Sequence, residues 1–287
     1  MSTLFTEAPA AKAETGKSSG DGHYYGYDRD AGKWFPLYAE GGTFGLAAAR
    51  EMRAKGHIAV PSVTGIIGTM RKRMIEDWQM REAAKAALNH KPDDYATTDE
   101  WLDVVVSEAK NASRAAMDLG TRVHKAIEQS ILGEDYDASM QVYVDGVRAK
   151  LVEAGIGDGL TAEECAGSLE HGVAGKFDII HDATLTICDA KTRGHKVNKT
   201  KISRVPSYNS DEMQIAAGGF FKWGRRFFKE GRGIVFGVST IQPGLVTPHV
   251  FTGPELIEPF STFLALCQVW RFDNNFDPRI AGTGVKQ

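Results

Sequence analysis

Two short apolar runs constrain this chain more than anything else in it: Gly175-Lys176-Phe177-Asp178-Ile179-Ile180 and Leu185-Thr186-Ile187-Cys188-Asp189-Ala190-Lys191-Thr192, separated by the polar His181-Asp182-Ala183-Thr184. Runs of this length and composition, joined by a polar quartet, read as two antiparallel strands and a tight turn. Each strand carries one carboxylate, Asp178 on the first and Asp189 on the second. Side chains alternate along a strand, so Asp189 and Lys191 share a face while Ala190 turns to the other. Two carboxylates suit a hard divalent cation such as Mg2+, which keeps several waters and accepts a phosphate oxygen. A neighbouring lysine can orient or deprotonate water, or offset charge on a phosphate. Taken alone, Asp-Ala-Lys-Thr also fits a solvated charge pair on a surface strand.

The frame is that of an ordinary globular protein: 287 residues, 42% hydrophobic and 25% charged, enough for one large core or two modest ones. A net charge of -3 argues against general coating of nucleic acid, so any polyanion has to be met by a local basic patch. Cys165, Cys188 and Cys267 are odd in number and lack C-x-x-C spacing, against a disulfide framework, a structural zinc or a four-cysteine iron–sulfur cluster. A reducing cytoplasm is the expected setting. No apolar run reaches the length of a membrane helix, and no secretory signal opens the chain.

Residues 1–22 have the composition of a disordered tail, and residues 23–60 read as a β-hairpin and helix elaboration ahead of a main domain over 61–287. The hairpin is aromatic, with Tyr24, Tyr25, Tyr27, Trp34, Phe35, Leu37 and Tyr38 flanking Asp28 to Gly32; core packing is its expected use and base stacking the alternative. Helices are expected from Thr43 to Lys55, after the cap Pro61-Ser62-Val63-Thr64, from Met74 to Leu88 and from Asp99 to Met117. Asp118-Leu119-Gly120-Thr121 reads as a break, followed by a short helix from Thr121 to Leu132. There Val123, Ile127 and Ile131 form an apolar stripe, and His124 and Glu128 stand one turn apart on a neighbouring face. The pair can share an ion or simply bond to each other. Beyond it come a helix from Ser139 to Ala154, a strand over Glu163 to His171, the central hairpin, and a helix from a Ser210/Asp211 cap to Phe228 with Gln214 near its start. Strands over Gly233–Ile241 and Leu245–Phe251 and a last helix from Pro254 to Trp270 complete the pattern.

Charge is concentrated after the hairpin. Between Lys191 and Arg232 eleven Lys and Arg residues face only Asp211, Glu212 and Glu230, a local excess of +8 within a chain of -3. A positive strip beside two carboxylates is what metal-dependent cleavage of a phosphate backbone requires; a solvated loop and helix face are the alternative.

The order of parts, Pro61-Ser62-Val63-Thr64, Gly120-Thr121-Arg122-Val123-His124 with Glu128, Gly175-x-x-Asp178, Asp189-Ala190-Lys191 and Gln214, resembles the PD-(D/E)XK nuclease superfamily, and within it the RecB-like exonucleases, from about Pro61 to Phe228. The resemblance implies an α/β fold with a restriction-endonuclease-like core, a mixed central β-sheet flanked by helices, carrying here an N-terminal helical elaboration. It implies His124, Asp178, Asp189 and the Ala190 carbonyl as ligands of Mg2+ or Mn2+, with Lys191, Gln214 and Glu128 completing the catalytic set and no iron–sulfur cluster. Arg193, Lys196, Lys199, Lys201, Arg204 and Arg225 are the expected contacts to a DNA backbone, without sequence preference. The helices before His124 and the run from Lys196 to Arg204 are candidate walls of a strand channel. The expected activity is exonucleolytic cleavage in phage or bacterial recombination or DNA processing, in the cytoplasm, with a single-strand annealing or recombination protein as a further partner and the oligomeric state left open. An endonuclease of the same superfamily, or a non-catalytic DNA-binding module that keeps the fold, are the alternatives. Two positions depart from the motif: Phe177 where the superfamily name has proline, and Gly218 where Q-x-x-x-Y has tyrosine, with Phe220 or Phe221 as candidate substitutes.

Overall fold

The computed structural model describes residues 23–39, 44–71, 73–195 and 203–279. Its centre is a five-stranded mixed sheet of β4 (Thr161–Ser168), β5 (Val173–His181), β6 (Thr186–Arg193), β7 (Arg232–Ser239) and β8 (Val246–Thr252), side by side in that order. Only β6 and β7 run parallel, and the other neighbours are antiparallel. The parallel step is reached through α6 (Asn209–Trp223) and α7 (Arg225–Glu230), because a parallel neighbour needs a crossover rather than a turn.

Strand alternation sends successive residues into two separate cores. Ile179, Cys188, Ile234 and Phe236 pack with Val123 and Ile127 of α4 (Thr98–Leu132) and with Val144 and Leu151 of α5 (Gln141–Glu153). Ile180 and Ile187 turn the other way, toward Ile66 of α2 (Val63–Ile67), Ile215 of α6 and Phe263 of α8 (Ile257–Asp273). Ser62 caps α2 as expected, its hydroxyl accepting from the Gly65 N–H at 2.9 Å. A small sheet of β1 (Tyr24–Asp28), β2 (Lys33–Pro36) and β3 (Val60–Pro61) lies against β4 and β5, and Tyr25, Ile58 and Val60 share a core with Ala174. Tyr24 and Tyr25 are buried and serve packing, while Phe35 and Tyr38 of the same set are exposed. The expected tail over residues 1–22 lies outside the described residues. Among the described residues no helix is long and apolar enough to cross a membrane.

Two helix expectations are corrected. The break at Asp118–Thr121 does not exist, for α4 is one helix of 35 residues. Gly120 is there for close approach, since a Cβ on it would stand 2.9 Å from the Thr192 Oγ1 of β6. A glycine costs a helix about 1 kcal/mol, which the packing of the following two turns on the sheet offsets. The helix expected to run to Phe228 is instead interrupted at Gly224, whose φ of 62° lies in the left-handed region, and it starts at Asn209 rather than at a Ser210/Asp211 cap. Asp211 instead sits in the first turn, where its Oδ2 accepts the Tyr208 N–H at 2.9 Å.

Candidate metal centre

The centre forms where two strands part. The β5–β6 ladder runs from His181 opposite Thr186 to Ile179 opposite Cys188 and then stops, one residue short of Asp178 and Asp189. β6 stays in register with β7 up to Arg193 opposite Ser239, so it is β5 that peels away. Like charges placed directly opposite each other destabilise a ladder, and separating the strands relieves that repulsion. Ala190 gives its N–H to Asp178 Oδ2 at 2.9 Å instead of to a β5 carbonyl. The N–H and C=O of a strand residue address the same neighbour, which sets the Ala190 carbonyl on this edge too.

Both helical layers reach into the gap. From α4, His124 Nδ1 lies 3.2 Å from Asp178 Oδ2. From α6, Gln214 Nε2 donates to Asp189 Oδ1 at 2.8 Å. Lys191 Nζ is 2.9 Å from Oδ1 and 2.8 Å from Oδ2 of Asp189. Only the Oδ1 contact has hydrogen-bond geometry, so Oδ2 is a buried carboxylate oxygen that accepts no hydrogen bond. The Lys191 ammonium at 2.8 Å is the charged neighbour that compensates this oxygen.

Burial pushes the Asp178 carboxyl up, but His124, Lys191 and the Ala190 N–H outweigh it and hold the group well below the ordinary carboxylate range. For Asp189 burial wins over Lys191, and the neighbouring Asp178 charge adds to it, so this carboxyl is held above its usual value. His124 and Lys191 are pushed down by burial and pulled back further by the two aspartates, and both end above their ordinary values. His124 thus stands against Asp178, and Lys191 against Asp189. Among the described residues no three His, Cys, Asp or Glu side chains stand ready as an ion cage. The donor set of one imidazole, two carboxylates and a carbonyl edge, with an Asp189 oxygen that accepts no hydrogen bond, nonetheless fits Mg2+ or Mn2+.

Glu128 is half-buried on α4 one turn past His124; burial raises its carboxyl, and it feels Asp178 as a like charge. The basic residues fare unevenly. Arg193 is an internal tie: it grips Asp211 through both terminal nitrogens at 2.6 and 2.7 Å, donates to the Pro206 carbonyl at 2.8 Å, and stacks 4.2 Å from the Tyr208 ring centroid. Lys222 pairs with Glu164 and Asp182, and Arg232 bonds Thr186 and the Ala154 carbonyl. Arg204 and Arg225 are exposed, while Lys196, Lys199 and Lys201 lie outside the described residues. Arg225 follows the end of α6 remote from Gln214, about 14 Å of helix away by its rise per residue, so it does not adjoin the two aspartates. Among the described residues of the strip, Lys191, Arg193 and Lys222 are thus held in internal ion pairs, while Arg204, Arg225 and Lys229 are exposed. The helices before His124 also make a poor channel wall: α3 (Arg73–Asn89) and the start of α4 are linked by an acidic stretch in which Asp93, Asp94, Asp99, Glu100, Asp103 and Glu108 occur with no Lys or Arg between Pro92 and Ala109.

The two departures from the motif meet each other. A Cβ on Gly218 would come within 2.4 Å of Ile187 Cδ1 and 2.5 Å of the Phe177 ring. Phe177 thus fills the space between α6 and the sheet that a larger residue at 218 would need. Phe220 and Phe221 belong elsewhere, to an aromatic cluster with His171, Phe228, Phe260 and Phe263. Sequence reasoning passed over Lys176, Glu163 and Asp211; for Lys176 and Asp211 the available signal was their proximity in sequence to Asp178 and Gln214.

No family model matches the chain, and no curated protein matches it. Among solved structures that match is the crystal structure of SSO0001, 12% identical, covering 72% of this chain and 98% of that one at a TM-score of 0.28. A likeness at that score carries no argument about fold family or function.

Proposed function

We propose that this chain is a divalent-metal-dependent DNA exonuclease built on a PD-(D/E)XK core. The observation that carries the reading is the parting of β5 from β6 at Asp178 and Asp189, which leaves a buried Asp189 oxygen without a hydrogen bond beside Lys191. His124, Asp178, Asp189 and the Ala190 carbonyl would hold the ion. Bound there, Mg2+ or Mn2+ supplies positive charge to a phosphate oxygen and acidifies water for attack.

The chain's own residues divide the remaining work. Gln214 fixes the Asp189 carboxylate through Oδ1 and leaves Oδ2 for a ligand. The Ala190 N–H and His124 fix Asp178 from two sides. The two aspartates raise the Lys191 ammonium against the effect of burial, so it serves as a fixed cation for the charge that develops on the phosphate. Exposed Arg204 is left for contacts to the DNA backbone.

End-labelled linear DNA incubated with the full chain in Mg2+ or Mn2+ should be shortened progressively, while covalently closed circles persist. Discrete products from a closed circle would make the chain an endonuclease instead. Binding without cleavage under either metal would make it a DNA-binding module. His124→Ala should weaken Mn2+ binding and cleavage together, and unchanged metal dependence would return His124 to a structural ion pair.

A further inference from the structure

Away from the proposed centre, α3 and the first half of α4 form a two-helix arm. α3 packs against α4, where Glu108 accepts from the Asn89 amide at 3.0 Å and meets the His90 ring. Over residues 98–118, Val105 is the one buried side chain among those described. Val105 and Glu108 mark the side of α4 that faces α3. One residue on from that face, Leu102, Val106 and Ala109 recur at i, i+4 and i+7, a stripe about a quarter turn away from α3. Leu102 is 44% and Val106 43% exposed. An apolar stripe beside the face that two helices already share is where a bundle takes its next helix. Charge tells which helix fits it. Between Pro92 and Ala109 every charged residue is acidic, and Lys110 and Arg114 follow directly. Asp99, Asp103, Lys110 and Arg114 lie by helical periodicity on the flank of the stripe turned away from α3. Among the described residues none of these four forms an ion pair within the chain, Arg114 reaching only the Asn111 side chain at 3.4 Å. The sign of this flank reverses beside Val106 and Ala109. A flank that reverses sign at its middle complements itself when a second copy is turned end for end.

We infer that the α3–α4 arm is the surface on which a second copy of this chain docks, the two α4 helices lying antiparallel about a two-fold axis between Val106 and Ala109 and the two arms making a four-helix bundle. Val106 of each copy then meets Ala109 of the other. Asp103 meets Lys110, with Asp99 and Arg114 one turn further out. The apolar stripe supplies the adhesion, and the exposed pairs, worth little singly, select the antiparallel order. A parallel pairing would set acidic half against acidic half. Because α4 runs unbroken from the axis to His124, the two copies of His124 stand about 50 Å apart along the paired helices, too far to share one phosphodiester.

The test reads mass rather than turnover. By analytical ultracentrifugation the full-length wild type should sediment as a dimer, and Val106→Asp, which brings like charges together at the axis, as a monomer. The charges test the register. Asp99→Lys with Asp103→Lys makes the flank of one chain wholly basic, and Lys110→Asp with Arg114→Asp makes that of another wholly acidic. Each alone should dissociate about tenfold or more above wild type, and an equimolar mixture of the two should restore the dimer. All five positions are exposed, and circular dichroism checks each fold; should Val106→Asp not fold, the mixture decides. A monomeric wild type would overturn the inference, as would a dimer that survives Val106→Asp, because it would dock through another face. A mixture no tighter than its components would overturn the antiparallel pairing and the inference with it. A chain that dimerises in this way and leaves DNA uncut would keep the surface and remove only the nuclease reading.

Discussion

Strands β5 and β6 lead two different lives on either side of Ile179 and Cys188. On one side, Ile179, Ile180, Ile187 and Cys188 are paired and sealed between both helical layers. On the other, the ladder is abandoned, and Asp178, Asp189 and Lys191 are bonded to His124, Gln214 and one another. Along β6 the alternation of side chains continues, with Ile187 in one core and Cys188 and Ala190 in the other, whereas in β5 it shifts at Asp178, so that Phe177 joins the core of Ile180 rather than that of Ile179. What changes is that buried charge must find partners, and a ladder cannot supply them while its strands stay in register. The apolar half therefore carries stability, and under the proposed nuclease reading the parted half would carry the chemistry.

The sharpest way to break this comparison is Asp189→Asn, which keeps the size of the side chain and its bond to Gln214. Cleavage should fall at least about a thousandfold, about 4 kcal/mol of transition-state stabilisation, with the thermal midpoint shifted by no more than a few degrees. A variant that cleaves like wild type would remove the parted half from the chemistry. The converse change is Ile187→Ala in the sealed half, where the side chain is 1% exposed. It should cost about 3 kcal/mol in denaturant unfolding, while the folded fraction keeps its cleavage rate at low temperature. Equal loss of both would show that the halves are not separable.

Arg193 and Asp211 extend the parted half beyond the centre. Asp211 is 2% exposed, and Asp211→Asn leaves Arg193 without its counter-charge, at a cost of about 3 kcal/mol. Burial raises the Asp211 carboxyl, but Arg193 and the Tyr208 N–H outweigh it and set the folded value below the ordinary one. Its stabilising contribution is therefore complete above the unfolded carboxylate value, near pH 4, and is lost as pH falls through the folded value. Stability measured against pH should show an acid limb that is shallower in Asp211→Asn; identical slopes would mean the pair is not coupled to folding. The smallest effect concerns the seam between the halves. Gly218→Ala should cost about 1–3 kcal/mol by pushing Phe177 and Ile187 from their places, and Phe177→Leu in the same chain should recover part of that loss.

A good deal of this was legible from residues alone. The hairpin pattern located β5, β6 and their turn, and the Ser62 hydroxyl ahead of an apolar stretch marked the start of α2. The facing of Asp189 and Lys191 followed from strand periodicity, and the helix bearing Gln214 from composition. The reading failed where a residue's meaning depended on distant neighbours. Gly120 read as a stop because glycine disfavours helices, yet it faces Thr192 across a close contact. Arg193 read as a DNA contact because a charge sum assigns every cation to solvent, whereas Asp211, eighteen residues on, consumes it.

What the sequence determined by itself is the periodic part: which residues alternate on a strand, which recur along a helix, and which residue types can meet a hard cation. These are local properties, governed by backbone geometry and side-chain chemistry. Only the tertiary structure decided that β5 leaves β6 at Asp178, that His124 and Gln214 arrive from opposite layers, and that Lys176 meets Glu163 of β4. The energy of a buried charge depends on everything within several ångströms of it, and that neighbourhood exists only once the helices have closed on the sheet.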